Sequence, residues 1–277
     1  MKNFIWLFLI ISLTSKAVIF PTTQGPVSHS FGNISSLKND PFAAYNHQGS
    51  MALATKNYIS VSAKSSFFIP ELNTACLAVS KKINNTQNLG LGYSFFGNKY
   101  YNESLLKLSF AKKFFNKTGG GISIDYYRLQ LPKESYKVKN IFTFEIGFYT
   151  ELNQNFDVAF QLINPARAPL ASYNEEKLPF IANLSVVYNL NDKFTIAAEW
   201  SQTITANGFA KLGLNYKASK NLHFYAGIVN KTSSVSFGIN YHFKNTLIAI
   251  SFTSQPYLGY SSSAGVSYFT NHDKKPE

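Results

Sequence analysis

The sequence predicts an all-β protein: an up-and-down antiparallel transmembrane β-barrel of about 14 strands with an N-terminal plug segment. Three observations predict it. Apolar residues recur at every second position from about residue 57 onward. Only 14% of the 277 residues are charged, whereas 45% are hydrophobic and 16% aromatic. After the N-terminus, no stretch reaches the roughly 18 apolar residues of a membrane helix, and a chain that crosses lipid without helices must form a closed barrel.

The composition excludes several other classes. A soluble protein usually has about 25% charged residues, so this composition argues against an ordinary cytosolic enzyme. Disorder is excluded by the abundance of aromatic residues. Cys76 is the single cysteine, which excludes a disulfide framework and a cysteine-based zinc site. A mean hydropathy of −0.09 excludes a polytopic helical membrane protein.

Residues 1–17 have the pattern of a secretory signal peptide. Lys2 supplies the positive start, residues 4–13 are apolar except for one serine, and Ser15 and Ala17 are small residues before a plausible cleavage point. An N-terminal membrane anchor is the alternative, but ten residues are too few to span about 30 Å of hydrocarbon. The segment predicts export.

Each predicted strand has one apolar and one polar or small face. In the segment near 233–243, for example, Phe237 and Ile239 alternate with Ser236 and Gly238, as side chains on opposite faces of a strand do. Fourteen such segments lie near residues 57–66, 73–82, 88–97, 103–114, 119–130, 138–150, 155–163, 180–189, 193–202, 208–217, 221–230, 233–243, 246–254 and 262–269. Their length suits tilted membrane strands, and an even number is typical of single-chain barrels.

The connections alternate between short Asn-rich turns, such as 190–192 and 244–245, and longer loops, of which 164–179 is the longest. Outer-membrane barrels have short periplasmic turns and longer outer loops. The predicted organisation is therefore a barrel over 57–269, preceded by a plug segment over 18–56 and followed by a periplasmic tail over 270–277.

Lipid is predicted to meet the apolar face. The other face is rich in glycine and serine with scattered charges, whereas a face in water usually carries more lysine and glutamate. Aromatic residues near strand ends, such as Tyr93, Trp200 and Tyr241, resemble the girdles at lipid headgroups. An exported soluble β-sandwich is the alternative.

Residues 18–56 lack the two-residue period. Asp40 is predicted to cap a short helix whose first residue is Pro41. A segment of about forty residues could fold inward as a plug, or it could form a periplasmic extension. The candidate residues for ligand or plug contacts are Asp40, Pro41, Phe42, Asn46 and His47.

Six charged residues are predicted to face the lumen: Lys107, Asp125, Glu145, Asp157, Glu199 and Lys211. Glu145 and Asp157 lie on successive strands and could form a carboxylate pair. The favoured interpretation is that such charges pair with Lys107 or Lys211, because buried charges require partners.

No motif indicates catalysis, a metal site or a cofactor. The five histidines lack metal-ligand spacing, and no G-x-S-x-G accompanies the serines. The lysines form no stripe, so nucleic acid is not expected as a partner despite the net charge of +12. Contact with anionic lipid headgroups is a better use for that charge.

The connection 164–179 is the strongest candidate for an extracellular binding loop, because long loops on rigid scaffolds often hold binding sites. Asn164, Pro165 and Arg167 are its candidate residues. A simple lid over the barrel mouth is the alternative.

Three stretches resemble those of a known family. Residues 40–52 (DPFAAYNHQGSMA) resemble the segment before the first strand of FadL-like outer-membrane barrels, although His47-Gln48-Gly49 stands where Asn-Pro-Ala is usual. The stretches 67–77 (FFIPELNTACL) and 164–170 (NPARAPL) resemble the PorV/PorQ branch of these barrels. The resemblance implies a plugged fourteen-strand barrel in the outer membrane of a Gram-negative bacterium.

The resemblance also implies two functions. FadL-like members carry hydrophobic small molecules across the outer membrane, which suggests passive transport through a plugged lumen. PorV-like members are accessory barrels of type IX secretion, which suggests that exported cargo proteins bind the extracellular loops. An enzyme is not expected.

Overall fold

The computed structural model describes residues 23–131, 138–170, 177–204 and 206–270. The predicted signal peptide lies outside the described residues, as does the predicted tail beyond Thr270. Among the described residues, none of the helices has the length and apolar character needed to cross a bilayer.

Fourteen strands follow three short helices. The helices are α1 (Pro26–Ser30), α2 (Ala43–Asn46) and α3 (Gln48–Ala52), and one 3₁₀ turn covers Pro70–Leu72. The strands are β1 (Asn57–Ser65), β2 (Asn73–Lys82), β3 (Gln87–Gly97), β4 (Asn102–Phe114), β5 (Thr118–Gln130), β6 (Lys139–Glu151), β7 (Phe156–Ile163), β8 (Ile181–Asn189), β9 (Phe194–Thr203), β10 (Ala206–Lys217), β11 (Leu222–Val229), β12 (Ser234–Phe243), β13 (Thr246–Gln255) and β14 (Gly259–Thr270).

The strands form one closed barrel in which each pairs antiparallel with its neighbours in sequence. The barrel closes between β1 and β14, with Asn57 opposite Thr270 and Ser65 opposite Ser262. The predicted fold class is confirmed, and each predicted strand is present within three residues of its expected bounds. Thr270 belongs to β14 rather than to the tail.

The two ends of the barrel differ. Short connections such as 190–193 and 244–245, the start of β1 and the end of β14 share one end, here called the turn end. The opposite end, here called the loop end, carries the longer connections, including 164–180. Asparagine side chains shape several tight turns: Asn191, for example, accepts hydrogen bonds from the backbone amides of Lys193 and Phe194.

The apolar faces of the strands point outward, as predicted. Phe237 is 60% exposed and Ile196 42% exposed on the outer surface, whereas Ser236 on the alternate face is buried. A soluble β-sandwich would pack these apolar side chains into a dry interior, so that alternative does not describe the fold.

The helix predicted at Asp40 begins later. Helix α2 starts at Ala43, after Phe42 as its N-cap residue. The carboxylate of Asp40 instead accepts the backbone amide of Phe42 at 3.0 Å, which forms a local turn before the helix. The prediction of Asp40 as N-cap and Pro41 as first helical residue was therefore wrong.

Candidate functional site

Residues 23–56, here called the N-terminal segment, pack against the inward faces of the barrel strands. Helix α1 contacts β11–β14, α2 contacts β2–β4, and α3 contacts β3–β6. Most side chains of the segment are buried, and Lys38 and Asn39 are among its few exposed residues. The segment thus meets the wall on two opposite sides of the barrel.

The wall makes room for the segment with glycines. An added Cβ at Gly227 would lie 2.0 Å from the backbone nitrogen of Gly32, and one at Gly119 would lie 2.5 Å from the carbonyl oxygen of Gly49. Nine inward glycines, here called the glycine belt, approach the segment in this way: Gly90, Gly92, Gly119, Gly121, Gly147, Gly213, Gly227, Gly238 and Gly265. Because backbone meets backbone at several of them, a larger side chain there would displace the segment.

A buried ion pair joins the wall to the segment on the α3 side. Lys107 Nζ lies 2.6 Å from Glu145 Oε1. The segment completes the site, because Lys107 also donates to the carbonyl of Tyr45 at 2.9 Å, and the side-chain amide of Gln48 donates to Glu145 Oε2 at 3.0 Å. Gln161 adds a hydrogen bond from its amide to the carbonyl of Asn46 at 2.7 Å. The charges are thereby compensated without water access.

The other predicted lumen carboxylates have different partners. Asp125 accepts a hydrogen bond from Ser123 and interacts electrostatically with Glu145 and Lys107. The proposed pairing of Glu145 with Asp157 does not occur, because the β6–β7 register sets Ile163 opposite Glu145. Asp157 instead accepts the hydroxyl of Tyr149 at 2.7 Å.

A second buried ion pair joins the wall to the segment on the α1 side. Lys211 Nζ lies 2.6 Å from Glu199 Oε1, and these residues face each other on β10 and β9. Glu199 Oε2 accepts the amide and the hydroxyl of Ser35 at 2.8 and 2.7 Å. Lys211 donates to the carbonyl of Asn33 at 3.0 Å. The segment therefore contributes partners to both ion pairs.

Within the segment, Asp40 forms a buried polar network. Its Oδ2 accepts the side-chain amide of Asn46 at 2.7 Å and the hydroxyl of Ser28 at 3.4 Å. Burial raises the pKa of the Asp40 carboxyl to about 6. Phe42 packs in the buried apolar cluster, and Pro41 is buried beside it. The predicted plug residues therefore lie together inside the segment.

Two histidines of the segment are buried and neutral. His47 Nδ1 accepts the backbone amide of Ser50 at 3.0 Å, which caps α3. His29 Nε2 donates to the carbonyl of Thr23 at 3.1 Å. Burial lowers the pKa of His47 to about 4 and that of His29 to about 3.

At the loop end, Asn164 anchors the long connection. Its Oδ1 accepts the Thr143 hydroxyl at 2.6 Å and the Ala168 amide at 3.0 Å, and its Nδ2 donates to the Leu178 carbonyl at 2.8 Å. Asn164 has a φ of 52°, a conformation that asparagine tolerates better than most residues. Pro165 is half-buried and Arg167 is exposed, so Asn164 is the structural centre among the three predicted loop residues.

Apolar side chains fill the loop end of the lumen, a feature that the sequence interpretation missed. Leu105, Tyr127 and Ile141 point inward from β4, β5 and β6, where a polar face was expected. Together with residues of the long connection they form the loop-end part of the buried apolar cluster that contains Phe42. This part is here called the mouth cluster: Leu105, Tyr127, Leu129, Ile141, Ile163, Ala168, Leu170 and Leu178. Doubled apolar pairs such as Leu105-Leu106 were the available signal, because both faces of the strand are apolar there.

Glu103 marks the polar boundary of the mouth cluster. It accepts the hydroxyls of Tyr101 and Tyr127 at 2.6 and 2.8 Å. Across the ranges that the structure describes, no three His, Cys, Asp or Glu side chains lie close enough to share a metal ion. The cluster is therefore a buried apolar layer with a few hydroxyl groups at its edge.

No family model matches the chain, and no curated protein matches it in sequence. Solved structures match it in shape. The CymD monoaromatic hydrocarbon channel matches with a TM-score of 0.69 at 13% identity, over 90% of this chain and 98% of that one. The Pseudomonas putida toluene transporter TodX matches with a TM-score of 0.65 at 13% identity, over 91% and 99%. A Pseudomonas aeruginosa FadL homologue matches with a TM-score of 0.64 at 14% identity, over 90% and 98%.

This chain shares the fold of these barrels. The structural likeness agrees with the FadL-like resemblance of the sequence. Because the structures named above are described as channels, transporters or a FadL homologue, they give no support to the PorV/PorQ resemblance or to a role in type IX secretion. Those two points stay predictions.

Proposed function

We propose that this protein is an outer-membrane barrel that passes a hydrophobic small molecule passively through a plugged lumen. The mouth cluster carries the proposal: apolar side chains fill the loop end of a lumen that also contains two buried ion pairs. Apolar groups that face inward in a barrel have no lipid to meet, so their use is to bind an apolar solute or to pack the loop.

The N-terminal segment acts as the plug in this proposal. It is seated on the glycine belt and joined to both buried ion pairs, a position in which it would obstruct the middle of the lumen. A hydrophilic solute would meet paired charges and packed backbone. A hydrophobic solute would leave water at the mouth cluster and continue inward or sideways into the membrane.

The outer surface supports a membrane location. Its exposed apolar side chains match the band that faces acyl chains, and stacked aromatic pairs such as Phe194 and Tyr216 lie near the turn end. By analogy with other outer-membrane barrels, the turn end would face the periplasm and the loop end the exterior. The hydrocarbon channels that share the fold are consistent with the proposed substrate class.

Adjacent leucines on β4 allow a matched test. Leu105 points into the mouth cluster, whereas Leu106 lies on the opposite face of the strand. Uptake of radiolabelled toluene is measured in cells that express the wild type, Leu105→Ser or Leu106→Ser, with folding of each barrel checked by heat modifiability. The proposal predicts that Leu105→Ser lowers uptake and that Leu106→Ser does not.

Two results would contradict the proposal. The first is equal toluene uptake by cells with and without the barrel. The second is rapid uptake of a hydrophilic trisaccharide such as raffinose through the wild type, which would indicate an open diffusion pore. Recovery of exported proteins bound to the loops, without any effect on toluene uptake, would instead favour the secretion alternative.

A further inference from the structure

A shallow groove of about 550 Å³ runs over the outer surface of strands β10–β13. Its lining is almost wholly apolar and includes Leu214, Tyr216, Phe224, Phe237, Ile239 and Tyr241. The groove is a concave part of the outer surface and is bordered by aromatic rings such as Tyr216 and Phe224. It can therefore bind a single acyl chain in a defined position.

The groove exists because a small residue stands among large ones. Ala226 of β11 faces outward with Leu214 opposite it on β10 and Phe237 opposite it on β12. The methyl group of Ala226 leaves a gap of about one side chain between these neighbours. Since Ala226 lies four residues from the start of β11 at Leu222, the groove reaches about 13 Å from the turn end, close to half of the roughly 30 Å hydrocarbon thickness.

Two exposed lysines lie in turns at the turn end of the strands that line the groove. Lys220 lies in the β10–β11 turn, four residues from both Tyr216 and Phe224. Lys244 lies in the β12–β13 turn, and its Nζ is 5.5 Å from the centre of the Phe243 ring. Aromatic rings and lysines at one level are typical of the lipid headgroup region.

No carboxylate competes with these lysines along this part of the chain. The sequence has no Asp or Glu between Glu199 and Asp273, whereas the same stretch contains Lys211, Lys217, Lys220 and Lys244, besides Lys231 at the loop end. The Lys211 charge is already neutralised by Glu199 inside the barrel. The surface at the end of the groove therefore favours an anion.

We propose that this groove is a binding site for an anionic phospholipid. One acyl chain lies along Ala226 between the aromatic borders, and the phosphate group meets Lys220 and Lys244. This inference rests on the proposed membrane location but not on transport, because the groove is separated from the lumen by the barrel wall.

Native mass spectrometry of the full-length barrel in detergent tests the site directly. Phosphatidylglycerol and phosphatidylcholine with identical acyl chains are added separately, and bound lipid is counted for each variant. Ala226→Phe and the smaller Ala226→Leu fill the groove, and Lys220→Gln/Lys244→Gln removes the cations. Ala198→Phe on the outward face of β9 and Lys112→Gln at the turn end of β4 are the matched controls.

The wild type is expected to retain phosphatidylglycerol in preference to phosphatidylcholine. Lys220→Gln/Lys244→Gln should weaken phosphatidylglycerol binding about 25-fold, because about 1 kcal/mol per cation near an anionic headgroup corresponds to about fivefold for each lysine. Both Ala226 variants should lose the bound lipid, while the two controls keep it. All variants should remain heat-modifiable and should take up toluene as the wild type does, so failure here is distinguishable from failure of the transport proposal.

Equal retention of the two lipids by the wild type would overturn the proposal. Unchanged phosphatidylglycerol binding by both Ala226 variants would also overturn it. A third contradicting result is a dimer of the chain, lost in Ala226→Phe, in place of a lipid adduct, because the groove would then hold a second copy of the protein.

Discussion

The carboxylate of Glu199 accepts both the backbone amide and the hydroxyl of Ser35, a residue 164 positions earlier in the chain. The same carboxylate pairs with Lys211, which donates to the carbonyl of Asn33. Within the wall, Glu199 also accepts the hydroxyl of Ser185 at 2.8 Å, and the segment supplies the remaining hydrogen-bond partners of the pair. The contacts that hold the N-terminal segment in the lumen therefore include the buried ion pair of the barrel wall.

Replacing Lys211 with methionine should release the part of the segment around Asn33 and Ser35 from the wall. Glu199 would be left buried without its cation, and removal of one partner of a buried pair costs about 3–5 kcal/mol. We expect faster proteolysis of residues 30–40 in the folded barrel and a lower denaturant midpoint. The double variant Glu199→Gln/Lys211→Met should be less affected, because no uncompensated charge remains.

The exposed Lys231 gives the matched control, since Lys231→Met removes the same charge from the outer surface. If the segment is as resistant to protease in Lys211→Met as in Lys231→Met, the ion pair does not hold the segment in place.

A larger residue in the glycine belt should also displace the segment. The Cβ of Gly227→Val would meet the backbone nitrogen of Gly32, which cannot move aside as a flexible side chain could. Overpacking of this kind costs about 1–3 kcal/mol or more. Accessibility of a cysteine introduced at Asn33 to a membrane-impermeant thiol reagent measures the displacement. Ala198→Val, on the outward face of β9, should leave that cysteine as protected as in the parent protein, and equal protection in Gly227→Val would refute the prediction.

Acid should loosen the segment through its histidines. The pKa values of His29 and His47 fall from 6.5 to about 3 and about 4 on burial, so the released form binds more protons between about pH 4 and 6.5. The seated form therefore loses stability as the pH falls through that window. Asp40, with its pKa raised to about 6, acts in the opposite direction between about pH 6 and 3.8, but one carboxyl does not offset two histidines.

The variant His47→Asn separates this effect from the capping bond. Asparagine can still accept the amide of Ser50, so α3 keeps its N-cap while the titrating group is removed. Protease resistance of the segment at pH 5 and pH 7 is the measurement. The difference between the two pH values should shrink in His47→Asn and shrink further in His29→Asn/His47→Asn; a double variant that is as acid-sensitive as the wild type would show that other groups control the response.

Asn164 should fix the cover of the mouth cluster. Asn164→Ala removes four side-chain hydrogen bonds and introduces a residue that disfavours a φ of 52°, whereas Asn164→Gly removes the bonds but tolerates the backbone. Hydrogen exchange of the Ala168 and Leu178 amides should speed up in both variants, and more in Asn164→Ala. If only Asn164→Ala responds, the backbone conformation rather than the side-chain bonds holds the loop.

The barrel could be predicted from the sequence because apolar residues of its outer face recur at every second position. Phe237 alternates with Ser236 and Gly238 regardless of what fills the lumen, and the short turns contain asparagines such as Asn191 that form local hydrogen bonds. Both signals are local. Strand order then follows from connecting neighbours in sequence, and the register is fixed by which face meets the outside.

The interior was less predictable because its contacts join distant parts of the chain. In the sequence, Gly227 looks like any other small residue of the lumen. Only the structure shows that its backbone lies against Gly32. Glu145 and Asp157 share an inward face on successive strands, but only the register shows that they lie at different levels. Leu105 and Ile141 follow the alternation rule poorly because both faces of their strands are apolar at the loop end.

Ionic conductance in planar lipid bilayers tests most directly whether the N-terminal segment closes the lumen. The wild type and a variant lacking residues 28–52 are inserted at equal amounts, after heat modifiability has shown that both barrels are folded. We predict that the wild type conducts almost no current and that the deletion variant forms steady open channels. A wild type that conducts as freely as the deletion variant, or a folded deletion variant that stays closed, would contradict the account.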